Sequence, residues 1–364
     1  MNMNEMETDV EKQNMRLTLW LWIALSVVCM SVMLWFAANK AVVIADMAPE
    51  QIGLSLGAER AQDAGTGIGL LLQYKEGSPD SFRIPLPKGV KPENIVMENR
   101  CADRELWIYI QDKNAEFYRK NKITGDTDRI LEGRCERWDL GIALVFRMDG
   151  VQEYRSTMDG SELTIACIDP HELYDFLVVL DPAGGGGETG AAVGGMSEKD
   201  LTLEIAKQVQ KNFNRSDVRL YLTRTDDVEV SPQQRAALAE DAGADLYIRI
   251  CAGYASDAPD IYGIQGRYND EYFIPGFGNA ELADTVTRDV TIAASNRAVG
   301  LAPADGDSVL YGLGIPAMEL YVGYLTNARE EALLEQEAYR EKLALGIIKG
   351  IGDACGRLKE LGAE

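Results

Sequence analysis

The chain has 364 residues, 46% hydrophobic and 26% charged, with 58 acidic side chains against 36 basic ones for a formal net charge of −22. That length allows about two domains at roughly 150 residues each. The composition excludes wholesale disorder, and the charge excludes a nucleic-acid or anionic-lipid surface, because a polyanion is repelled. Six cysteines stand singly at Cys29, Cys101, Cys135, Cys167, Cys251 and Cys355 with no CxxC pair, so neither a disulfide framework nor a metal knuckle is expected. The single histidine, His171, excludes any site that needs two imidazoles from one chain.

Residues 1–16 form a short tail in which Glu5, Glu7, Asp9 and Glu11 face Lys12 and Arg16. From 17 to 39 there is no charge, which is about the length needed to cross a bilayer core as a helix. Trp20, Trp22 and Trp35 near its ends suit the two interfaces. The expectation is one transmembrane anchor with the short tail inside and the bulk extracytoplasmic. A cleaved signal peptide competes, because the small residues Ala37, Ala38 and Ala41 follow. Residues 40–66 read as a linker. Across 67–172, short β-branched or aromatic runs such as ELWIYIQ (105–111), GIALVFRM (141–148) and ELTIAC (162–167) are separated by Gly, Pro, Asp and Asn, which predicts a small all-β module. No cluster of acids, histidines or cysteines there suggests catalysis, and a binding or spacer role follows.

From 173 to 364 strands alternate with helical stretches. LVVL (177–180), a helix over Glu198–Phe213, VRLYLT (218–223), a helix from the Ser231-Pro232 cap to about Asp241 and DLYIRI (245–250) come first. GIQGRY (263–268), a helix near Ala280–Ala294, SVLYG (308–312), AMELYV (317–322) and a closing helix over Ala328–Leu358 follow. This order predicts an α/β fold, a largely parallel sheet with helices on both faces. The Gly-rich loop after LVVL leaves a strand at the carboxyl end, where ligands and metals sit in such sheets. Gly185, Gly187 and Gly190 also fit the GxGxxG spacing of a nucleotide loop, but no helix opens directly after them.

The ordered runs VVLDPxxGG (178–186), SEKDLTLEIAK (197–207), LYLTRTDD (220–227), QRAALAEDAGADLYIRI (234–250) and GYLTN (323–327) carry a resemblance. The stretch from about 176 to 358 resembles the zinc-dependent N-acetylmuramoyl-L-alanine amidases of bacterial cell-wall metabolism. The resemblance implies a zinc held by two histidines and a glutamate, with water in an open fourth position and a second glutamate as general base. Carried over position by position, Gly184 stands where the first histidine would be, after Asp181-Pro182-Ala183. Glu198 stands at the ligand glutamate, Cys251 at the second histidine, and Tyr321 at the general base, two residues before Gly323. Three of the four chemical positions have changed.

Glu198 and Cys251 are both legitimate zinc ligands, but two fall short. Glu319 lies two residues before Tyr321 and so points to the same side of its strand, though ~6.6 Å further along, which is long for a substitute base. His171 precedes the first strand and falls at the sheet's opposite, amino end. The expectation is therefore a catalytically silent member of the family. Its cleft would be lined by Asp181, Gly184, Glu198, Cys251 and Tyr321, with no cofactor, or zinc if any metal is retained. Peptidoglycan or a cell-envelope protein would be its partner, the membrane would be met through one helix, and no nucleic acid would bind. The alternative is a working peptidoglycan amidase that cleaves the MurNAc–L-Ala bond with an altered metal set.

Overall fold

The computed structural model describes residues 41–43, 67–77, 80–138, 140–271 and 273–362. The tail at 1–16, the anchor expected at 17–39 and most of the linker lie outside the described residues. Among the described residues no helix is long and apolar enough to cross a membrane.

The first half is built of strands: β1 (Ala41–Val43), β2 (Ile68–Gly69), β3 (Leu72–Tyr74), β4 (Ser81–Pro85), β5 (Ile95–Arg100), β6 (Glu105–Ile110), β7 (Ile123–Gly125), β8 (Ile130–Trp138), β9 (Gly141–Met148), β10 (Glu153–Asp159) and β11 (Glu162–Ile168). They form a sheet in the order β1-β10-β11-β4-β7-β3 and another in the order β2-β8-β9-β6-β5. Alternation along the strands sets the faces. Phe82 and Ile84 of β4, and Leu106, Ile108 and Ile110 of β6, enter one shared apolar cluster, while Trp107 and Tyr109 join a second cluster on the other face of β6. β1 falls inside the stretch expected as linker and pairs antiparallel with Ser156–Met158 of β10.

The second half runs β12 (Phe176–Pro182), the hairpin β13 (Ala192–Val193) and β14 (Met196–Ser197), α1 (Glu198–Asn212), β15 (Val218–Leu222), α2 (Pro232–Asp241) and β16 (Leu246–Gly253). It continues with β17 (Ile264–Tyr268), α3 (Asn279–Ala294), β18 (Ala298–Pro303), β19 (Ala317–Tyr324), α4 (Ala328–Leu334) and α5 (Glu337–Gly362). The main sheet has the order β15-β12-β16-β19-β17-β18. β12 is central and buried on both faces, so all of Leu177, Val178, Val179 and Leu180 are solvent-free. Val178 and Leu180 pack under α1, α3 and α5, where Gly346 of α5 brings that helix so near α3 that a Cβ would lie 2.7 Å from the Val290 Cα. Leu177 and Val179 face α2 on the other side. There Val151 from the strand-rich half joins the same cluster, and Glu153 accepts from Arg219 Nε (2.7 Å) and the Tyr221 hydroxyl (2.8 Å).

Local sequence explains the helix starts. Ser197 caps α1 by accepting from Asp200 N, and Ser231 with Gln234 forms a capping box ahead of Pro232. The sheet is largely parallel, as expected, with one antiparallel pair that makes it mixed: β15, β12, β16 and β19 are parallel and so are β17 and β18, but β17 is antiparallel to β19. A parallel neighbour needs a crossover, and the stretch between β16 and β17 contains no helix to make one. Two expectations change. SVLYG is a 3-10 turn over Val309–Gly312, because the Ser308 hydroxyl accepts from Leu310 N and ties the segment into a turn. The strand beside β17 is instead β18, whose Pro303 suits its edge position. The closing helix is broken into α4 and α5.

Candidate functional site

The loop after β12 is organised from below. Asp181, expected to line the cleft, is fully buried beneath it. Its carboxylate accepts from Thr223 Oγ1 (2.5 Å), the Tyr247 hydroxyl (2.6 Å), Arg249 Nη1 (2.7 Å) and Arg235 Nη1. Burial alone would raise its pKa, but Arg249, Arg235 and the two hydroxyls overcome that and hold it below its ordinary value. Arg235 is itself buried and continues upward to the carbonyls of Pro182 (3.1 Å) and Gly184 (2.7 Å). Arg224 adds Pro182 O (3.0 Å), Ala183 O (2.8 Å) and Lys199 O (2.8 Å). Thr202 of α1 bonds Ala183 O at 2.9 Å.

This clamping fixes Gly184 at φ +73°, a left-handed conformation that disfavours any side chain. A Cβ there would lie 2.7 Å from Glu188 O and 2.9 Å from Lys199 Cβ. Glu198, the first residue of α1, turns its carboxylate to the carboxyl end of β16. Its Oε1 accepts from Ala252 N at 2.8 Å, next to Cys251, and its Oε2 from Ala191 N at 3.2 Å.

Sheet register brings the remaining positions into two rows. Cys251 of β16 is opposite Tyr321 of β19, which is opposite Gln265 of β17. One pleat below, Asp181, Arg249, Glu319 and Arg267 lie side by side on four strands with alternating charge. Cys251 is buried, and burial pushes its thiol well above the usual range, with Glu319 reinforcing the shift and Arg249 opposing it. Glu319 is 6% exposed and accepts from Ser308 Oγ at 2.6 Å. Burial raises its pKa although the Ser308 hydroxyl, Arg249 and Arg267 pull the other way. Tyr321 places its hydroxyl 3.5 Å from Glu319 Oε2, and the Arg267 guanidinium lies 4.4 Å from its ring centroid while pairing with Asp305 at 2.9 Å.

The structure thus gathers Gly184, Glu198, Cys251, Glu319 and Tyr321 at one sheet edge. His171 lies apart, its Nε2 2.9 Å from the Gly243 carbonyl just before β16, at the amino end. Among the described residues no group of three or more His, Cys, Asp or Glu side chains is placed to hold a metal ion. Sequence reasoning missed Arg235, Arg249 and Arg267. The i, i+2 spacing of Arg249 and Cys251 on one strand was a readable signal for the second, whereas Arg267 reaches the site through an antiparallel pairing no local pattern announces.

A mixed sheet with helices on both faces, and a helix-start carboxylate turned to the neighbouring strand's carboxyl end, defines an α/β domain whose candidate site residues gather at that edge. Residues 178–353 match the family profile of N-acetylmuramoyl-L-alanine amidases. The chain is 29% identical over 173 residues to N-acetylmuramoyl-L-alanine amidase LytC of Bacillus subtilis, a match that spans 48% of this chain and 34% of LytC. It is 30% identical over 185 residues to the probable cell wall amidase LytH of Staphylococcus aureus, covering 48% of this chain and 56% of LytH. The crystal structure of N-acetylmuramoyl-L-alanine amidase from Clostridium difficile 630 is matched at 30% identity, with 49% of this chain and 95% of that one covered at a TM-score of 0.46. The chain therefore spans about a third to a half of the length of these curated relatives.

Proposed function

We propose that this protein is a membrane-anchored, extracytoplasmic member of the amidase family that is catalytically silent and acts by binding peptidoglycan or an envelope partner through the carboxyl-edge cleft. The observation that carries this reading is the Gly184 backbone. The position of the family's first imidazole has no donor atom, and its φ and its neighbours Glu188 and Lys199 leave no room for one. Of the other positions, Glu198 is kept, with one backbone N–H on each carboxylate oxygen, but Cys251 replaces an imidazole and Tyr321 brings no carboxylate where the base would stand. The uncharged stretch 17–39 supports the anchor. The strands of 68–168 support an all-β module at 67–172 that spaces or helps dock the second domain.

The full chain in detergent should sediment with intact peptidoglycan and release no muropeptides, with or without added zinc. The rival reading, a working amidase with an altered metal set, draws on one placement: Glu198 Oε1 sits at Ala252 N, beside Cys251. Stoichiometric zinc in the purified protein, together with muropeptide release that disappears in Glu198→Ala, would establish the rival and overturn the silent reading.

A further inference from the structure

The two outer strands of the main sheet are finished differently. β15, on one side, is met by the strand-rich half, where Glu153 accepts from Arg219 and Tyr221. β18, on the other, pairs only with β17 among the described residues, and Ala298, Leu301 and Pro303 along it are exposed. Ala304 N donates inwards to Tyr268 O at 2.9 Å. Backbone groups alternate sides along a strand, so Ala302 faces β17 as well, while the carbonyls of Leu301 and Pro303 and the N–H of Leu301 turn outwards. Leu301 thus offers a donor and an acceptor on an open strand, which is a template for a further one.

Native sheets ordinarily blunt such strands with charged side chains. Residues 298–304 carry none, and Ile292, in the last turn of the helix that leads into β18, is apolar and exposed, as is Leu301. Pro303 lacks an N–H on the outer side, which shortens the template but leaves its carbonyl to accept. The charges that bound the run are of opposite sign. Arg297 precedes it, exposed, its guanidinium 5.1 Å from the Tyr262 ring centroid and without a side-chain hydrogen bond or ion pair among the described residues. Asp305 follows it, its side chain 73% exposed although Oδ2 accepts from Arg267 at 2.9 Å. Arg297 and Asp305 are equally far along the chain from Leu301. A strand laid antiparallel about Leu301 must therefore bring an acid to the base and a base to the acid, and a second copy of β18 does both.

We propose that β18 is a self-pairing strand: two copies of this chain join their main sheets through antiparallel β18 strands across a two-fold axis at Leu301. Each Leu301 N–H donates to the other copy's Leu301 carbonyl, and Arg297 of each copy lies beside Asp305 of the other, so that two six-stranded sheets become one. A chain of net charge −22 repels its copy as a whole, and this local pairing of opposite charges is what sets the register. The contact uses none of Gly184, Glu198, Cys251 or Tyr321, so it holds whether the site at the carboxyl edge is silent or active.

Sedimentation equilibrium of the full chain in density-matched detergent should show monomer and dimer in exchange. Leu301→Lys sets like charges across the axis and should raise the dissociation constant by roughly tenfold or more. Arg297→Glu and Asp305→Arg should each weaken the dimer, and the double variant, which exchanges the signs, should recover it. Paired residues of this kind have Cα atoms ~5.5 Å apart, within disulfide reach. Leu301→Cys oxidised with copper phenanthroline should therefore give a covalent dimer on a non-reducing gel, beyond whatever the wild-type cysteines yield. Leu301, Arg297 and Asp305 are exposed, so melting temperatures measured on dilute monomer should not move and the losses read on association rather than folding. A monomer at every concentration reached would overturn the proposal and leave β18 to a strand of another protein. A dimer that survives Leu301→Lys, or a Leu301→Cys variant no more cross-linked than wild type, would put the contact elsewhere and overturn it as well.

Discussion

The residues below the Gly184 loop and those above it have parted company. Below, Asp181 keeps four donors, two of them guanidiniums, drawn from three segments of the domain: Thr223 after β15, Arg235 of α2, and Tyr247 and Arg249 of β16. Above, of the four positions the resemblance assigns to metal and base, three carry a glycine, a buried thiol and a phenol, and one keeps Glu198. The lower set is a framework whose removal would unfold the region. The upper set has no such hub: Cys251 and Tyr321 meet through sheet register, and Glu198 accepts from two backbone N–H groups.

The largest expected effect follows from breaking the lower set. Asp181→Asn leaves Arg235 and Arg249 buried without their counter-charge and should lower unfolding free energy by about 3–5 kcal/mol. Urea denaturation checks it, and a loss under about 1 kcal/mol would mean that the hub is not structural. Next comes Gly184→His, which forces a side chain into a left-handed, crowded position and should cost roughly 1–3 kcal/mol. Even combined with Cys251→His and Tyr321→Glu, it should not raise the zinc content of the purified protein. Zinc uptake by that triple variant would show that the loop yields more readily than its carbonyl contacts imply.

Acid titration sharpens the same contrast through opposite signs. Asp181 is held below its ordinary 3.8, so its contribution is full above that value and is lost as pH falls through the folded pKa. Glu319 is raised above 4.5, so its buried charge weakens the fold near neutrality, and that penalty is relieved as pH falls through its folded value. Urea midpoints measured from neutral pH down to the carboxylate range should therefore fall less steeply in Asp181→Asn than in wild type and more steeply in Glu319→Gln. The smallest effect is expected at the solvent-exposed pair of Arg119 with Glu116, 3.1 Å apart on one short turn. Arg119→Ala should change stability by less than about 1 kcal/mol, and high salt should erase the difference.

Much of the second half was readable because its signals are local. The Ser197 and Ser231 caps, the apolar run of β12 and the helices over 198–212 and 232–241 each follow from a few consecutive residues. What stayed hidden depends on register between distant segments. Nothing within SVLYG shows that Ser308 will bond Glu319 eleven residues on, and nothing within GIQGRY shows that it will run against β19. Asp181 shows the same limit from the other side. Its place at a strand end suggested a cleft wall, yet Thr223, Arg235, Tyr247 and Arg249, all far along the chain, make it interior.

The carbonyls of Pro182, Ala183 and Gly184 are all taken up by Arg224, Arg235 or Thr202. A loop gripped by its main chain is held in one shape, and that shape demands glycine: Gly184, Gly185 and Gly186 all have positive φ, and a Cβ on any of them would meet backbone within 2.8 Å. Gly187, where a Cβ would meet nothing nearer than Glu229 Oε2 at 3.6 Å, is the position of this run at which an engineer could hang a new side chain on a support whose rigidity is supplied from underneath.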